Sequence, residues 1–136
     1  MDITVYLPDD IGKRAKEAGL PFSQLLRGAV HAELERRERV AETLSDIESY
    51  EVPIQTPEGS MVIGRITGKF IAEATRSGVD VYLTSDRRVL IYDQRREQVE
   101  DVTHNPAAAF EWFKDRDVDA YISAMEAIGE SPVIDL

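Results

Sequence analysis

Apolar Ile3, Val5 and Leu7 alternate with Asp2, Thr4 and Tyr6 at the start of the chain. A period of two marks a strand with one buried face, so residues 2–7 read as a short strand stopped by Pro8. The period then lengthens. Ile11, Ala15 and Ala18 recur at helical spacing, with Asp9 or Asp10 placed to cap a first helix and Gly19 to end it. Beyond the Leu20-Pro21 connector, Ser23 is placed to cap a second helix, with Phe22, Leu25, Leu26, Ala29, Val30 and Leu34 on one side. No Gly or Pro follows until Pro53, except Gly28 within the helical pattern itself. The helix is therefore expected to run through the charged stretch 35–39, read as a solvated face with i,i+4 pairs, to about Ile47.

From residue 50 the pattern returns to strands. Residues 50–55, 60–70, 79–84, 89–92 and 98–102 are strand-like, separated by turn signals such as Thr-Pro-Glu-Gly at 56–59 and Ser-Asp-Arg-Arg at 85–88. Residues 70–75 are equally compatible with a helical turn. Asn105-Pro106 opens a helix with Ala109, Phe110 and Phe113 facing inward. Asp117 or Asp119 caps another, carrying Tyr121, Met125 and Ile128 and ending at Gly129. The expected fold class is α+β. A β-α-α segment over residues 1–48 precedes an α+β domain over 49–136, built from an antiparallel meander and two C-terminal helices.

Composition narrows the classes of function. Charged residues make up 31% and apolar ones 43% of the 136 positions, an ordinary globular balance. No apolar run is long enough to span a bilayer, and Met-Asp-Ile-Thr does not open a signal peptide, so a cytoplasmic protein with no membrane contact is expected. The chain has no Cys, which excludes disulfides, thiolate metal sites and a thiol nucleophile. The net charge of −10 is unevenly spread. Residues 1–45 hold seven basic and eight acidic side chains, whereas residues 46–136 hold nine and eighteen, giving −1 and −9. Two parts with different partners follow from that split.

About 45 residues bury too little surface to stand alone, and a lone strand has both edges unpaired. A homodimer answers both problems. Two copies of the strand would pair as an antiparallel ribbon over interlocked helices, and such a ribbon fits the major groove of DNA. The run Ile3-Thr4-Val5-Tyr6-Leu7-Pro8, the short helix to Gly19 and then Phe22-Ser23-Gln24-Leu25-Leu26-Arg27 resemble the ribbon-helix-helix proteins of the Arc/MetJ type, above all their CcdA- and ParD-like antitoxins. The resemblance covers residues 2–40. It implies an intertwined ribbon-helix-helix dimer in which Asp2, Thr4 and Tyr6 read bases, Asp2 standing where a basic residue is common. It also implies that Phe22, Ser23, Gln24 and Arg27 hold a phosphate at the start of the second helix, a helix N-terminus being a ready anion site.

Catalytic patterns are missing. His31 and His104 are far apart, and there is no Gly-rich phosphate loop or nucleophile elbow. Asp115, Asp117, Asp119 and Glu126 match a calcium-loop spacing, but Ala120 stands where the loop needs Gly, and a capped helix is the simpler reading. Arg87-Arg88 and Arg95-Arg96 fall at turns, as solvated residues or as a basic rim for an anion. The expectation is a non-enzymatic, dimeric, sequence-specific repressor of its own promoter, antitoxin-like, without cofactor or metal. Its acidic C-terminal domain would bind a partner protein such as a basic toxin. The alternatives are a regulator controlled by ligand or oligomeric state, and an interaction module that uses the N-terminus only to dimerise.

Overall fold

The computed structural model describes residues 6–134 and Leu136. The elements run α1 (Asp9–Glu17), α2 (Phe22–Thr43), β1 (Glu48–Gln55), β2 (Met61–Ala74), β3 (Val79–Thr84), β4 (Val89–Asp93), β5 (Gln98–Thr103), α3 (Pro106–Lys114) and α4 (Val118–Ala127). They form two compact units, Met1–Glu33 and Leu34–Leu136, and the division falls within α2.

The protein is α+β, but the expected ribbon-helix-helix start is overturned. The described chain opens with two helices followed directly by a five-stranded antiparallel sheet. Tyr6, Leu7 and Pro8 are coil, although the alternation reaches Leu7. A strand needs a second strand for its backbone groups, and among the described residues no strand pairs with Tyr6–Pro8. The rest of the expected strand, with Asp2 and Thr4, lies outside the described residues. The C-terminal helices are present but short, nine and ten residues.

In α1 the first turn is closed by Gly12 N–H on the Pro8 carbonyl at 2.8 Å, without a side-chain cap. Asp9 and Asp10 instead lie in the first turn, where the helix dipole favours acids. Gly19, at φ +68°, ends the helix as expected. Its N–H reaches Lys16 O at 3.1 Å while Leu20 N–H reaches Ala15 O at 3.2 Å, the paired bonds of a left-handed glycine terminus. The first bond of α2 runs from Leu25 N–H to Pro21 O at 3.0 Å, so Ser23 sits inside the first turn and is not the cap. The helix stops at Thr43, before the expected Ile47. The Ser45 backbone N–H (3.2 Å) and hydroxyl (2.6 Å) both bond the Glu42 carbonyl and tighten the final turn.

The second half of α2 belongs to the sheet domain. Val40 and Leu44 pack against its core. Arg39 donates from Nε to the Glu126 carbonyl at 3.0 Å, and Thr43 donates its hydroxyl to the Ala127 carbonyl at 2.6 Å. Arg36 pairs with Glu130 at 2.6 Å. The charged stretch 35–39, read as a solvated face, thus holds α2 against the C-terminal end of α4.

The sheet order is β1-β2-β3-β4-β5, all antiparallel, as the meander pattern implies. Residues 70–75, left open between strand and helix, mostly continue β2 to Ala74. β3 and β4 are largely buried on both faces, and the alternation sorts their side chains. Val79, Val81, Leu83, Val89 and Ile91 meet Phe110, Phe113, Tyr121, Met125 and Ile128 from α3 and α4. On the opposite face Tyr82 and Tyr92 pack with Val52 and Ile66 of the β1–β2 hairpin. The hairpin curls over that face. The Tyr92 hydroxyl donates to the Pro53 carbonyl, and Gln55 N–H reaches Glu97 O at 2.9 Å. Two features of β2 accommodate the curl, a register shift between Phe70 and Ala72 and the contact at Gly68. A Cβ on Gly68 would run into the Leu83 carbonyl oxygen and Thr84 Cα, both backbone.

Gly68→Ala therefore forces two strands apart. The expected loss is about 1–3 kcal/mol, the range for overpacking, read as a fall of several degrees in Tm. An unchanged Tm would show that β2 and β3 do not approach this closely. A second expectation concerns pH. Burial, followed by the charge of Asp80 and by Tyr50 and Tyr92, pushes the Tyr82 hydroxyl up to about 12 from 10.0. The folded form holds this proton more tightly than the unfolded chain. Its stabilising contribution is complete below pH 10 and is lost as the pH rises towards 12. Denaturant midpoints should fall across that window, and Tyr82→Phe should blunt the fall. Ionisation of Tyr82 near pH 10 in the intact fold would contradict the burial.

Candidate functional site

Neither helix of the N-terminal region buries a side chain. Ile11 of α1, Leu20 of the connector, and Phe22, Leu25, Leu26, Val30 and Leu34 of α2 are each 40–53% exposed. On α2 these positions follow helical spacing and make one stripe. Monomeric proteins seldom leave such a stripe in water. On α1, Ile11, Arg14, Ala15 and Leu20 line a shallow open groove of about 600 Å³.

The expected DNA-contacting residues fall into two places. Tyr6 is 88% exposed, ahead of α1. Phe22, Ser23, Gln24 and Arg27 come together on the first two turns of α2. Their roles there differ. The Phe22 N–H is engaged by Leu20 O at 3.0 Å, and its side chain belongs to the apolar stripe. Ser23 and Gln24 occupy the first turn, where helix geometry leaves N–H groups without an intrahelical acceptor. Arg27 folds back, its Nε donating to the Ser23 carbonyl at 3.3 Å, which keeps the guanidinium beside that turn.

A second concave feature lies in the sheet domain. A cavity of about 370 Å³ has an apolar floor of Val79, Ile91 and Ala109, with Asp93, Arg96, Glu100 and Asp101 on its rim. Arg96 stands 4.0 Å from Asp93 and 3.8 Å from Glu100. The backbone N–H of Arg96, then that of Arg95, hold the Asp93 carboxyl below its ordinary range. The turn arginines are mostly engaged within the domain. Arg88 pairs with Asp86 at 2.7 Å, and Arg95 reaches the Arg76 carbonyl at 3.4 Å. Asp86 is held low first by the Thr84 hydroxyl and then by the charge of Arg88.

The calcium-loop spacing does not form a loop. Asp119 and Glu126 lie within α4, and the Asp117 carboxylate accepts the Arg76 N–H at 3.2 Å. Among the described residues no group of three or more His, Asp or Glu could hold a metal ion, and no helix is long and apolar enough to cross a membrane. Sequence reasoning missed the docking of Arg36 and Arg39. It also missed the exposed run Met61-Val62-Ile63 in β2, whose signal was three consecutive apolar residues where a half-buried strand should alternate. Comparison with family models, with curated proteins and with solved structures found no match.

The hairpin turns suggest a test of the basic rim. Thr56–Ser60 and Thr84–Arg88 are built alike: Thr56 N–H bonds Ser60 O, and Thr84 N–H bonds Arg88 O, both at 2.8 Å. The left-handed position is Gly59 at φ +86° in the first and Arg87 at φ +65° in the second. A left-handed non-glycine residue costs about 1–2 kcal/mol, partly offset by the greater freedom glycine has when unfolded. Arg87→Gly should raise stability by up to about 1 kcal/mol, seen as a higher Tm. A lower Tm would show that the Arg87 side chain holds the turn.

Proposed function

We propose that the protein is a homodimeric, cytoplasmic DNA-binding regulator of the antitoxin-like kind, assembled through α1 and the first half of α2. The observation that carries the dimer is the uncovered apolar stripe from Phe22 to Leu34. A helix whose apolar face stays in water gains nothing from packing, and most helical stability in proteins comes from packing. A second copy offers the same stripe and covers it. DNA contact is supported by the resemblance over residues 2–40 and by the placement of Ser23, Gln24 and Arg27 at a helix start. Residues 1–33 carry four basic and five acidic side chains, −1, so the −9 of the chain's remainder is kept off this segment. That acidic domain would bind a basic partner protein.

The net charge of −10 favours a second reading, a dimerising interaction module without DNA contact. One pair of measurements separates them. Leu26→Glu puts a charge on a residue 40% exposed in the single chain, harmless to a monomer and disruptive to a buried stripe. Sedimentation should show that the variant has lost the helix-mediated dimer. Gel shift of the wild type on its own promoter should show binding that weakens with salt, and Arg27→Ala should weaken all sequences alike. Wild-type protein that self-associates yet binds no DNA at low salt would establish the second reading.

A further inference from the structure

The outer half of β2 has a neighbour on one side only. β1 pairs with it from Gln55↔Met61 to Glu48↔Gly68, whereas its pairing with β3 begins at Gly68↔Thr84. Ladder geometry identifies the groups left over. Pro53, opposite Ile63, has no N–H, and its carbonyl accepts the Tyr92 hydroxyl. Gln55, two residues on, gives its N–H to Glu97 O at 2.9 Å. The odd-numbered residues of β1 therefore direct their backbone groups away from β2, and Pro53↔Ile63 is a non-hydrogen-bonded pair. By the same alternation Met61, Ile63 and Arg65 direct their N–H and C=O groups to the side where β3 is missing. Thr67 continues the series, its carbonyl accepting Ser85 N–H at 2.9 Å on that side.

Three N–H and three C=O groups thus line an open edge, with Met61, Val62 and Ile63 49–65% exposed along it. Exposed edges in proteins are commonly blunted by proline, lysine or a bulge. The β1 edge has Pro53 and the Gln55–Glu97 bond; residues 61–66 have neither a proline nor a lysine.

We propose that this edge pairs with itself: residues 61–65 of one chain add antiparallel to the same residues of a second copy, joining two sheets into one. A two-fold axis at Ile63 sets Ile63 against Ile63 and Met61 against Arg65, so the three N–H and three C=O groups of each strand are matched. The register keeps the two arginines apart, and each stays 3.5 Å from its own Glu51. This agreement of length, register and charge selects a second copy as the occupant. An extended basic segment of another protein is the competitor, and salt distinguishes the two. Screening favours contact between two acidic domains and weakens contact with a basic one. The edge and the helix stripe use different residues, so the two interfaces together assemble species larger than a dimer.

Sedimentation velocity on four full-length proteins, at low and high salt, tests this: wild type, Ile63→Pro, Leu26→Glu and the double variant. Proline at 63 removes only an outward N–H, leaving the β1–β2 ladder whole. Ile63→Lys, at an exposed position, serves if proline distorts the strand, and circular dichroism confirms the fold of each. The wild type should be larger than a dimer, more so at high salt. Each single variant should be dimeric, and the double variant should be monomeric. A Leu26→Glu protein that is monomeric at high salt, or Ile63 variants of wild-type mass, would overturn the edge pairing. Failure of the helix interface has a different signature, a Leu26→Glu protein of unchanged mass.

Discussion

The sheet domain depends on β3 and β4 being buried on both faces. Strands of that kind need cover above and below. α3, α4 and the end of α2 supply it on one side, and the β1–β2 hairpin supplies it on the other. The hairpin can reach that face only if β2 bends sharply out of the plane it shares with β3. Gly68 and the shifted register at Phe70 accommodate that bend. The consequence is geometric. A strand that turns away to cover a sheet leaves its neighbour behind, and residues 61–66 lose β3 for that reason. The open edge and the closed aromatic cluster are two results of one bend.

Helix α2 meets two different demands along its length. Its second half is fixed by groups that need one particular partner, Arg39 and Thr43 on the last carbonyls of α4 and Arg36 on Glu130. Cations at a helix C-terminus meet both unpaired carbonyls and the negative end of the dipole. Gly129, at φ +77°, permits the approach, since a Cβ there would press on Arg36 Cα and Arg39 Cβ. Along the first half, Phe22, Leu25, Leu26 and Val30 form an exposed apolar stripe, the kind that any complementary stripe can cover.

β1 to β4 were legible in the sequence because each is bounded by a turn with a physical signature, Gly59, Gly78 or the turn at 84–88. Helix ends marked by glycine, at Gly19 and Gly129, were legible for the same reason. The N-terminal strand was misleading. Alternation of Ile3, Val5 and Leu7 reports which side chains could share a face, but not whether a second strand is present to receive the backbone. The charged run 35–39 was read as solvated because sequence spacing shows i,i+4 neighbours and cannot show the carbonyl ends of α4. The β2 edge was hidden likewise, since an apolar run shows what wants cover and not which neighbour has moved away. Of the proposed DNA-contacting residues, the grouping of Ser23, Gln24 and Arg27 was legible, because helix geometry alone brings them together.

Charge sets a bound on any DNA contact. Arg36 and Arg39 are committed within the sheet domain, so the N-terminal unit contributes Lys13, Arg14, Lys16 and Arg27. A dimer then brings at most about eight cations to phosphate, and the logarithmic salt slope can be no steeper than about −7. Asp9, Asp10 and Glu17 share α1 with three of those cations and reduce the figure further. Binding of that size is weak in its non-specific part, and the −9 of residues 34–136 opposes it at any separation shorter than about 10 Å in 0.1 M salt. Discrimination would therefore have to come from base contacts and not from backbone attraction.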